Sequence, residues 1–204
     1  ERRRDAPGAA DPRFAGWLAA DRRGAREATP DDAALAARLH ARAEGARLGV
    51  RRIAHRPELR AAPEVMTVAR ALDRAQEQGC APWLDLAIAA GAGRELWDEG
   101  CESWVALPAD LPRGRFVALT VAGDSMTPLL HSGDVVLVKL GADFARDRVV
   151  VARRPDDGYV VKRIGALDNA SVELLSLNPA FPPVRIERRD DLIVGTVVVR
   201  WCGH

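Results

Sequence analysis

The chain has 204 residues, 48% of them hydrophobic, and its 30 basic and 29 acidic side chains leave a formal net charge of +1. This length allows one large or two small domains with buried cores, and we expect two. The near-neutral charge gives no argument for a nucleic-acid or membrane partner. No apolar run approaches the roughly 18–20 residues that cross a bilayer, so no membrane association is predicted.

The three cysteines, Cys80, Cys101 and Cys202, are scattered and form no C-x-x-C pair. An odd, scattered count is not a disulfide framework, so we predict a reducing, cytoplasmic location. The four histidines show no metal-ligand spacing with one another or with cysteine, so neither a metal nor a cofactor is predicted. The chain begins at Glu1 rather than Met, and we expect residues upstream of it.

The front of the chain has a helical pattern. Residues 1–12 are charged and contain proline, glycine and alanine without periodicity, which predicts a flexible lead-in. Residues 13–79 are predicted to form a small helical domain. Within it, Thr29-Pro30 is a cap and first-turn signal for one helix, and Pro63-Glu64 opens another that Gly79 ends.

After a connector at residues 80–100, residues 101–204 are predicted to form a second domain of short strands. β-Branched runs separated by turn formers indicate a compact, mostly antiparallel β domain. The predicted class is therefore α+β, a small helical domain followed by a β domain. The predicted strands are Trp104–Leu107, Phe116–Val121, Val135–Lys139, Val149–Ala152, Tyr159–Ile164, Val172–Leu177 and Leu192–Arg200.

Ser125 lies where a predicted strand runs into a glycine turn, in Gly123-Asp124-Ser125-Met126. Such a bend exposes a side chain and points backbone N–H groups at the same place, which an acyl-transfer site needs for its oxyanion. The alternative is an ordinary turn serine. Asp124 beside it is better explained as a turn former than as a catalytic acid.

Lysine is rare in this chain, which has 28 arginines but only two lysines, Lys139 and Lys162. Arginine does not lose its proton in a protein, whereas a buried lysine can be neutral near pH 7 and act as a general base. Alternation along a strand places Lys162 on the same face as Val160 and Ile164, which predicts an apolar setting. The alternative is a strand lysine that reaches solvent. Lys139 ends its strand and is expected to be solvated.

Four ordered motifs resemble the LexA, UmuD and phage-repressor family of self-cleaving proteins, over roughly residues 82–200. They include Ser125 and Lys162, which are 37 residues apart as is usual in that family. The resemblance implies that Ser125 is the nucleophile and Lys162 its base. The motifs are Gly123-Asp124-Ser125-Met126, Ser132-Gly133-Asp134-Val135-Val136-Leu137-Val138, Val149-Val150-Val151-Ala152-Arg153 and Val160-Val161-Lys162-Arg163.

The same family carries a scissile Ala-Gly bond on a segment that folds into its own active site. Ala90-Gly91, 34 residues before Ser125, resembles that bond, and Ala92-Gly93 is a second candidate. The alternative is a plain Ala/Gly-rich linker. The family pattern also implies that the backbone amides of Asp124 and Ser125 form the oxyanion hole.

Family members of this length carry a helix-turn-helix before the cleavage segment, so residues 13–79 are a candidate DNA-binding domain. The segment at residues 45–60 lacks a clean turn and recognition helix, and the alternative is a solvated, arginine-rich helical face. If the domain binds duplex DNA, four arginines are expected to meet phosphates or base edges. They are Arg47, Arg51, Arg52 and Arg56.

The leading hypothesis is a homodimeric transcriptional repressor that binds a duplex operator and is inactivated when its linker is cut, with a RecA-like filament as a candidate activator. A second is an accessory protein like UmuD, activated by trimming, whose front half does not bind DNA. A third is a leader-peptidase-like enzyme that acts on other chains, which would need a membrane anchor that the sequence does not show.

Overall fold

The computed structural model describes residues 30–85, 95–141, 145–154 and 158–202. Contacts divide the chain into two units, Glu1–Ala36 and Ala37–His204. The described residues of the first unit form the start of a helix, and all described strands lie in the second. The predicted lead-in at residues 1–12 lies outside the described residues.

The described elements are two α-helices, one 3₁₀ turn and eleven strands. Helix α1 spans Pro30–Arg47, helix α2 spans Val68–Glu77, and the 3₁₀ turn spans Leu96–Asp98. The strands are β1 Arg51–Ile53, β2 Leu59–Thr67, β3 Cys80–Asp85, β4 Gly100–Ala106, β5 Phe116–Thr120, β6 Val135–Leu140, β7 Val149–Arg154, β8 Gly158–Leu167, β9 Ser171–Leu175, β10 Val184–Glu187 and β11 Ile193–Trp201.

The strands form one sheet in the order β10-β9-β8-β7-β11-β6-β5-β3-β4-β2, with β1 added to β11. Among the described pairings only β3 with β5 and β1 with β11 are parallel. The mostly antiparallel β domain is therefore confirmed. Each strand predicted after residue 100 overlaps an observed strand.

The central strands are buried on both faces. On β7, Val149 and Val151 pack into the largest apolar cluster, whereas Val150 and Ala152 pack into another on the opposite face. Alternation along a strand sends successive side chains to opposite faces, so a strand covered on both sides is a continuous apolar run. This explains why β7 begins with the continuous apolar run Val149-Val150-Val151-Ala152.

The predicted start of the second helix at Pro63-Glu64 is wrong, because helix α2 begins at Val68. Residues 59–67 are strand β2, an edge strand paired with β4, with an irregular register between Ala61 and Met66. Proline is tolerated at such an edge because its missing N–H costs no ladder bond. The predicted end is confirmed, since Gly79 follows the helix with a φ of 65°.

Strands β1 and β2 separate the two helices, which corrects the expectation of a wholly helical segment over residues 13–79. A helix-turn-helix joins its helices through a turn of about three or four residues. The described residues therefore do not confirm that motif. The structural reason is that β1 and β2 find strand partners in β11 and β4, far along the chain.

Candidate active site

Ser125 lies in the loop between β5 and β6, and its side chain is half-buried. The loop is closed at its base by two backbone hydrogen bonds, from Val121 N–H to the Asp134 carbonyl at 2.8 Å and from Gly133 N–H to the Val121 carbonyl at 2.9 Å. Gly123 precedes the serine with a φ of 78°, a conformation that favours glycine. The predicted glycine turn before Ser125 is therefore present.

Apolar side chains after Ser125 fix its loop on the core. Met126, Leu129 and Leu130 are each at most 2% exposed and pack into the largest apolar cluster. Because a close-packed core accepts few alternative side-chain positions, the burial of these three residues restricts the movement of the loop. The backbone that carries Ser125 is therefore anchored to the core.

Lys162 lies in β8, paired with Val150 of β7, and is half-buried. Burial lowers the pKa of the Lys162 ammonium below its ordinary value, and the positive charge of Arg154 lowers it further. Its Nζ donates a hydrogen bond of 3.0 Å to the Ser176 hydroxyl and lies 5.7 Å from the centroid of the Phe181 ring. Lys162, for which an apolar setting was predicted, therefore has an aromatic ring and a hydroxyl as neighbours in a half-buried position.

The segment after β9 contacts both the lysine and the serine. Ser176 accepts the hydrogen bond from Lys162, and Asn178 donates its backbone N–H to the Ser125 carbonyl at 3.0 Å. Asn178 also donates its side-chain amide to the Asp124 carbonyl at 3.1 Å. Because two residues span at most about 7 Å, this segment holds the Ser125 turn and the Lys162 amine in one neighbourhood.

No hydrogen bond joins the side chains of Ser125 and Lys162, although both residues are described. The amine of Lys162 donates to Ser176 instead. Catalytic hydrogen bonds are often long in the absence of substrate and shorten when the scissile group is bound. The two residues therefore lie in one region of the structure, but their side chains are not hydrogen-bonded to each other.

The backbone around Ser125 is oriented by its carbonyl partners. The Asp124 carbonyl accepts from the Thr127 hydroxyl at 3.0 Å, from the Thr127 N–H at 3.2 Å and from Asn178. In a trans peptide the N–H points opposite to the carbonyl, so the Ser125 N–H points away from these partners. Among the described residues, none accepts a hydrogen bond from it.

Sequence reasoning missed Ser176 and Asn178. Both follow β9 in Ser176-Leu177-Asn178-Pro179, and the sequence pattern predicts only the end of the strand Val172–Leu177 there. A polar residue before an Asn-Pro pair predicts only a turn. Their role depends on contacts with Lys162 and Ser125, which lie 14 and 53 residues away in the sequence.

The predicted scissile bond, Ala90-Gly91, and the second candidate, Ala92-Gly93, lie outside the described residues. Upstream, the Trp83 indole of β3 donates to the Thr120 hydroxyl at 3.0 Å. Downstream, the Leu96 N–H donates to the Tyr159 hydroxyl at 2.9 Å. Both flanks of residues 86–94 are thus bound to the sheet.

The four arginines proposed for DNA contact do not share one helix. Arg47 ends α1 and pairs with Glu44, and Arg56 lies in the loop after β1. Arg51 and Arg52 lie in β1, where Arg51 pairs with Asp110 and the Arg52 Nε donates to the Cys202 Sγ at 3.1 Å. The arrangement is a helix end, a short strand and a loop.

Sequence reasoning also missed a buried ion pair beside the Ser125 loop. The Asp134 carboxylate is fully buried and lies 2.9 Å from the Arg200 guanidinium. Arg200 also donates to the Leu129 carbonyl, and the Asp134 carboxylate accepts from the His131 N–H at 2.8 Å. Because Arg200 lies in β11, its contacts with Asp134 and Leu129 connect β11 to the loop that carries Ser125.

The described residues show no metal centre and no membrane span. No group of three or more histidine, cysteine, aspartate or glutamate side chains among them is placed to hold a metal ion. No described helix is long and apolar enough to cross a membrane.

A family model described as peptidase S24-like matches residues 82–198, more than half of the chain. A LexA repressor from Oleidesulfovibrio alaskensis is 37% identical to the chain over 89 residues, which are 43% of this chain and 42% of that protein. The chain thus spans less than half the length of this curated relative. The resemblance predicted from the motifs is confirmed, and the chain belongs to the peptidase S24-like family.

Proposed function

We propose that this protein cuts its own chain with Ser125 as nucleophile and Lys162 as general base. The observation that carries the proposal is the Lys162 amine, whose pKa is lowered by burial and which is hydrogen-bonded to Ser176. The same segment binds the Ser125 turn through Asn178. Membership in the peptidase S24-like family supports this assignment.

The proposed reaction begins with a neutral Lys162 amine. It accepts the proton of the Ser125 hydroxyl while the serine oxygen attacks the carbonyl carbon of Ala90. The developing oxyanion receives hydrogen bonds from the backbone N–H groups of Asp124 and Ser125. The carbonyl contacts of Asp124 support this role for the Ser125 N–H, which they leave pointing away from Thr127 and Asn178.

The tetrahedral intermediate then collapses and the bond between Ala90 and Gly91 breaks. Protonated Lys162 gives its proton to the departing amine of Gly91, leaving an ester between Ala90 and Ser125. Water, deprotonated by the same lysine, hydrolyses that ester and restores the serine. Each chain cuts itself once, because the substrate segment is consumed.

The proposed bond is Ala90-Gly91 because small residues can enter a narrow cleft and approach the serine closely. Trp83 and Leu96, on either side of this segment, are hydrogen-bonded to Thr120 and Tyr159, so the chain on both sides of the proposed bond belongs to the domain that contains Ser125. Incubating the purified protein at alkaline pH and weighing its fragments tests the site. The expected C-terminal fragment begins Gly91-Ala92-Gly93, and a junction outside residues 88–94 would contradict the proposal.

We further propose that self-cutting inactivates a homodimeric repressor by separating its front part from its C-terminal part, with a RecA-like filament as a candidate activator. The proposal rests on the similarity to a protein named LexA repressor. A palindromic operator favours a two-fold protein. Sedimentation at tens of micromolar should show a dimer, and a monomer would contradict this part.

Duplex binding separates a repressor from an accessory protein like UmuD. The full chain should bind duplex DNA with an affinity that falls as salt rises, because phosphate contacts release counterions. Replacing Arg47 and Arg56 together by alanine should weaken binding, with an Arg74→Ala variant as the control. No measurable binding by the parent protein at low salt would rule out the repressor and leave the accessory function.

A further inference from the structure

A cavity of about 530 Å³ lies between the second half of helix α1 and strand β1, within the unit Ala37–His204. Four arginines line it, Arg42, Arg51, Arg52 and Arg200, together with Leu129. The remaining lining residues are alanines, glycines and a valine. Among the described residues, no aspartate or glutamate lines the cavity. The cavity therefore has basic walls and small apolar surfaces.

Neighbouring carboxylates neutralise only part of this charge. Arg51 pairs with Asp110, and Arg200 pairs with Asp134. Among the residues that the structure describes, none supplies a carboxylate to Arg42 or Arg52. Like charges gathered around one concave space create a positive potential that attracts an anion.

The side-chain Nε–H groups of the two arginines in β1 lack strong hydrogen-bond acceptors. The Nε of Arg51 is buried and has no hydrogen-bond partner in the described part of the chain. The Nε of Arg52 donates at 3.1 Å to the Cys202 Sγ, which is a weak acceptor. A phosphate oxygen is a stronger acceptor than sulfur, and the planar guanidinium fork matches the geometry of phosphate.

Two of the lining residues, Gly45 and Gly49, are glycines at the point where α1 turns into β1. A Cβ on Gly45 would lie 3.1 Å from the Leu129 Cδ1, and Gly49 has a φ of 75°, which disfavours a side chain. A volume near 530 Å³ lies within the range of about 300–1,000 Å³ usual for small-molecule sites. A concave space of this volume suits a small ligand better than the extended backbone of a duplex.

We propose that this cavity binds a small molecule that carries phosphate groups, held by Arg42 and Arg52 with Arg51 and Arg200 beside them. The apolar walls would accept the uncharged part of such a ligand. The site is built from β1, the end of α1 and β11, and it does not include Ser125 or Lys162.

The cavity contacts the turn that carries Ser125. Leu129 lines the cavity, and its carbonyl accepts a hydrogen bond from Arg200, another lining residue. A phosphate bound to Arg200 competes for that donor and so changes how the turn is held. A bound phosphate compound therefore alters the rate of self-cutting, a consequence that rests on the proposed function.

Calorimetric titration of the full chain with pyrophosphate, at fixed ionic strength, tests the site. We expect one pyrophosphate per chain, and at least tenfold weaker binding after Arg42→Gln and Arg52→Gln together. The control replaces Arg60 and Arg74, exposed arginines that pair with Glu58 and Glu64, by glutamine. It should bind like the parent, and circular dichroism of both variants checks that they are folded.

Two further titrations distinguish the ligand classes. Malonate should bind more weakly than pyrophosphate, because its carboxylates carry less charge and fewer acceptor oxygens. Binding of malonate as tight as that of pyrophosphate, no heat with pyrophosphate, or equal loss in both double variants would overturn the site. So would a duplex oligonucleotide that binds through Arg42 and Arg52 while pyrophosphate does not.

The link to the Ser125 turn has its own measurement. Pyrophosphate should change the self-cutting rate of the parent at least twofold and leave the rate of the Arg42/Arg52 variant unchanged. A bound pyrophosphate without effect on the rate would overturn the link alone. A parent that binds pyrophosphate but never cuts would contradict the proposed function and leave the site supported.

Discussion

Lys162 in β8 and Ser176, the residue after β9, are 14 residues apart and are joined by a hydrogen bond of 3.0 Å from the amine to the hydroxyl. The bond fixes the end of a long side chain that otherwise rotates freely. It also stabilises the charged amine, since the hydroxyl accepts from the ammonium. Burial acts in the opposite direction and lowers the pKa of Lys162.

Ser176→Ala should therefore slow self-cutting about tenfold at the alkaline plateau, a loss of about 1.4 kcal/mol of transition-state stabilisation. Without the hydroxyl the amine loses its fixed position. The midpoint of the pH profile should also move to lower pH, because an acceptor that favoured the protonated lysine is gone. Ser176→Thr keeps the hydroxyl and should restore both values.

Initial cutting rates of the two variants and the parent, followed by fragment mass across a pH series, check this expectation. A purely structural role for Ser176 would lower the plateau without moving the midpoint. An alanine variant with the parental profile at every pH would show that Ser176 does not position the base.

Asp134→Ala should destabilise the protein by about 3–5 kcal/mol, because it leaves the buried Arg200 guanidinium without its countercharge. The carboxylate is fully buried, and Arg200 is 6% exposed. Urea unfolding followed by circular dichroism measures the change. Asp73→Ala removes an exposed pair with Arg115 and should change stability by less than about 1 kcal/mol.

Gly195→Ala should destabilise the sheet more than Gly100→Ala. An added Cβ at Gly195 would meet the Lys139 carbonyl and lie 2.8 Å from the Val138 Cγ1, so β11 and β6 would have to separate. At Gly100 the nearest atom would be the Val65 Cγ1 at 3.8 Å, an ordinary contact. Overpacking of this kind costs about 1–3 kcal/mol, and equal urea midpoints for the two variants would contradict the prediction.

Local sequence patterns predicted every described strand after residue 100 except β10, and they singled out Ser125 and Lys162 as candidates. Most of these strands contain short runs of β-branched residues, a local pattern that does not depend on the partner strands. Lys162 stood out because arginine supplies nearly all other positive charge in the chain. Composition, periodicity and spacing made these two residues candidates, whereas the roles of nucleophile and base are implied by the family resemblance.

Non-local pairing explains what the sequence did not predict. Residues 59–67 contain alanine, glutamate and methionine, which favour a helix, but they pair with β4 more than thirty residues later. The Asp134 and Arg200 pair joins residues 66 apart, and nothing in either neighbourhood indicates the other. The basic cavity likewise depends on β1 lying beside β11, a pairing that no local pattern encodes.

Lys162→Arg should abolish self-cutting although it keeps the positive charge, because a guanidinium stays protonated and cannot accept the Ser125 proton. Lys139→Arg, a change to the other lysine of the chain, is the matched control and should cut like the parent. Ser125→Ala removes the nucleophile and should be inert. Fragment mass after a fixed incubation measures all three.

The parental rate should rise with pH because Lys162 is inert while protonated, and level off once pH exceeds the pKa that the folded protein gives it. Burial lowers that pKa, so the midpoint should lie below about 10.4, the ordinary value for lysine. Lys139→Arg should show the same midpoint. A rate that falls with pH, or a Lys162→Arg variant that cuts as fast as the parent, would show that another group takes the serine proton.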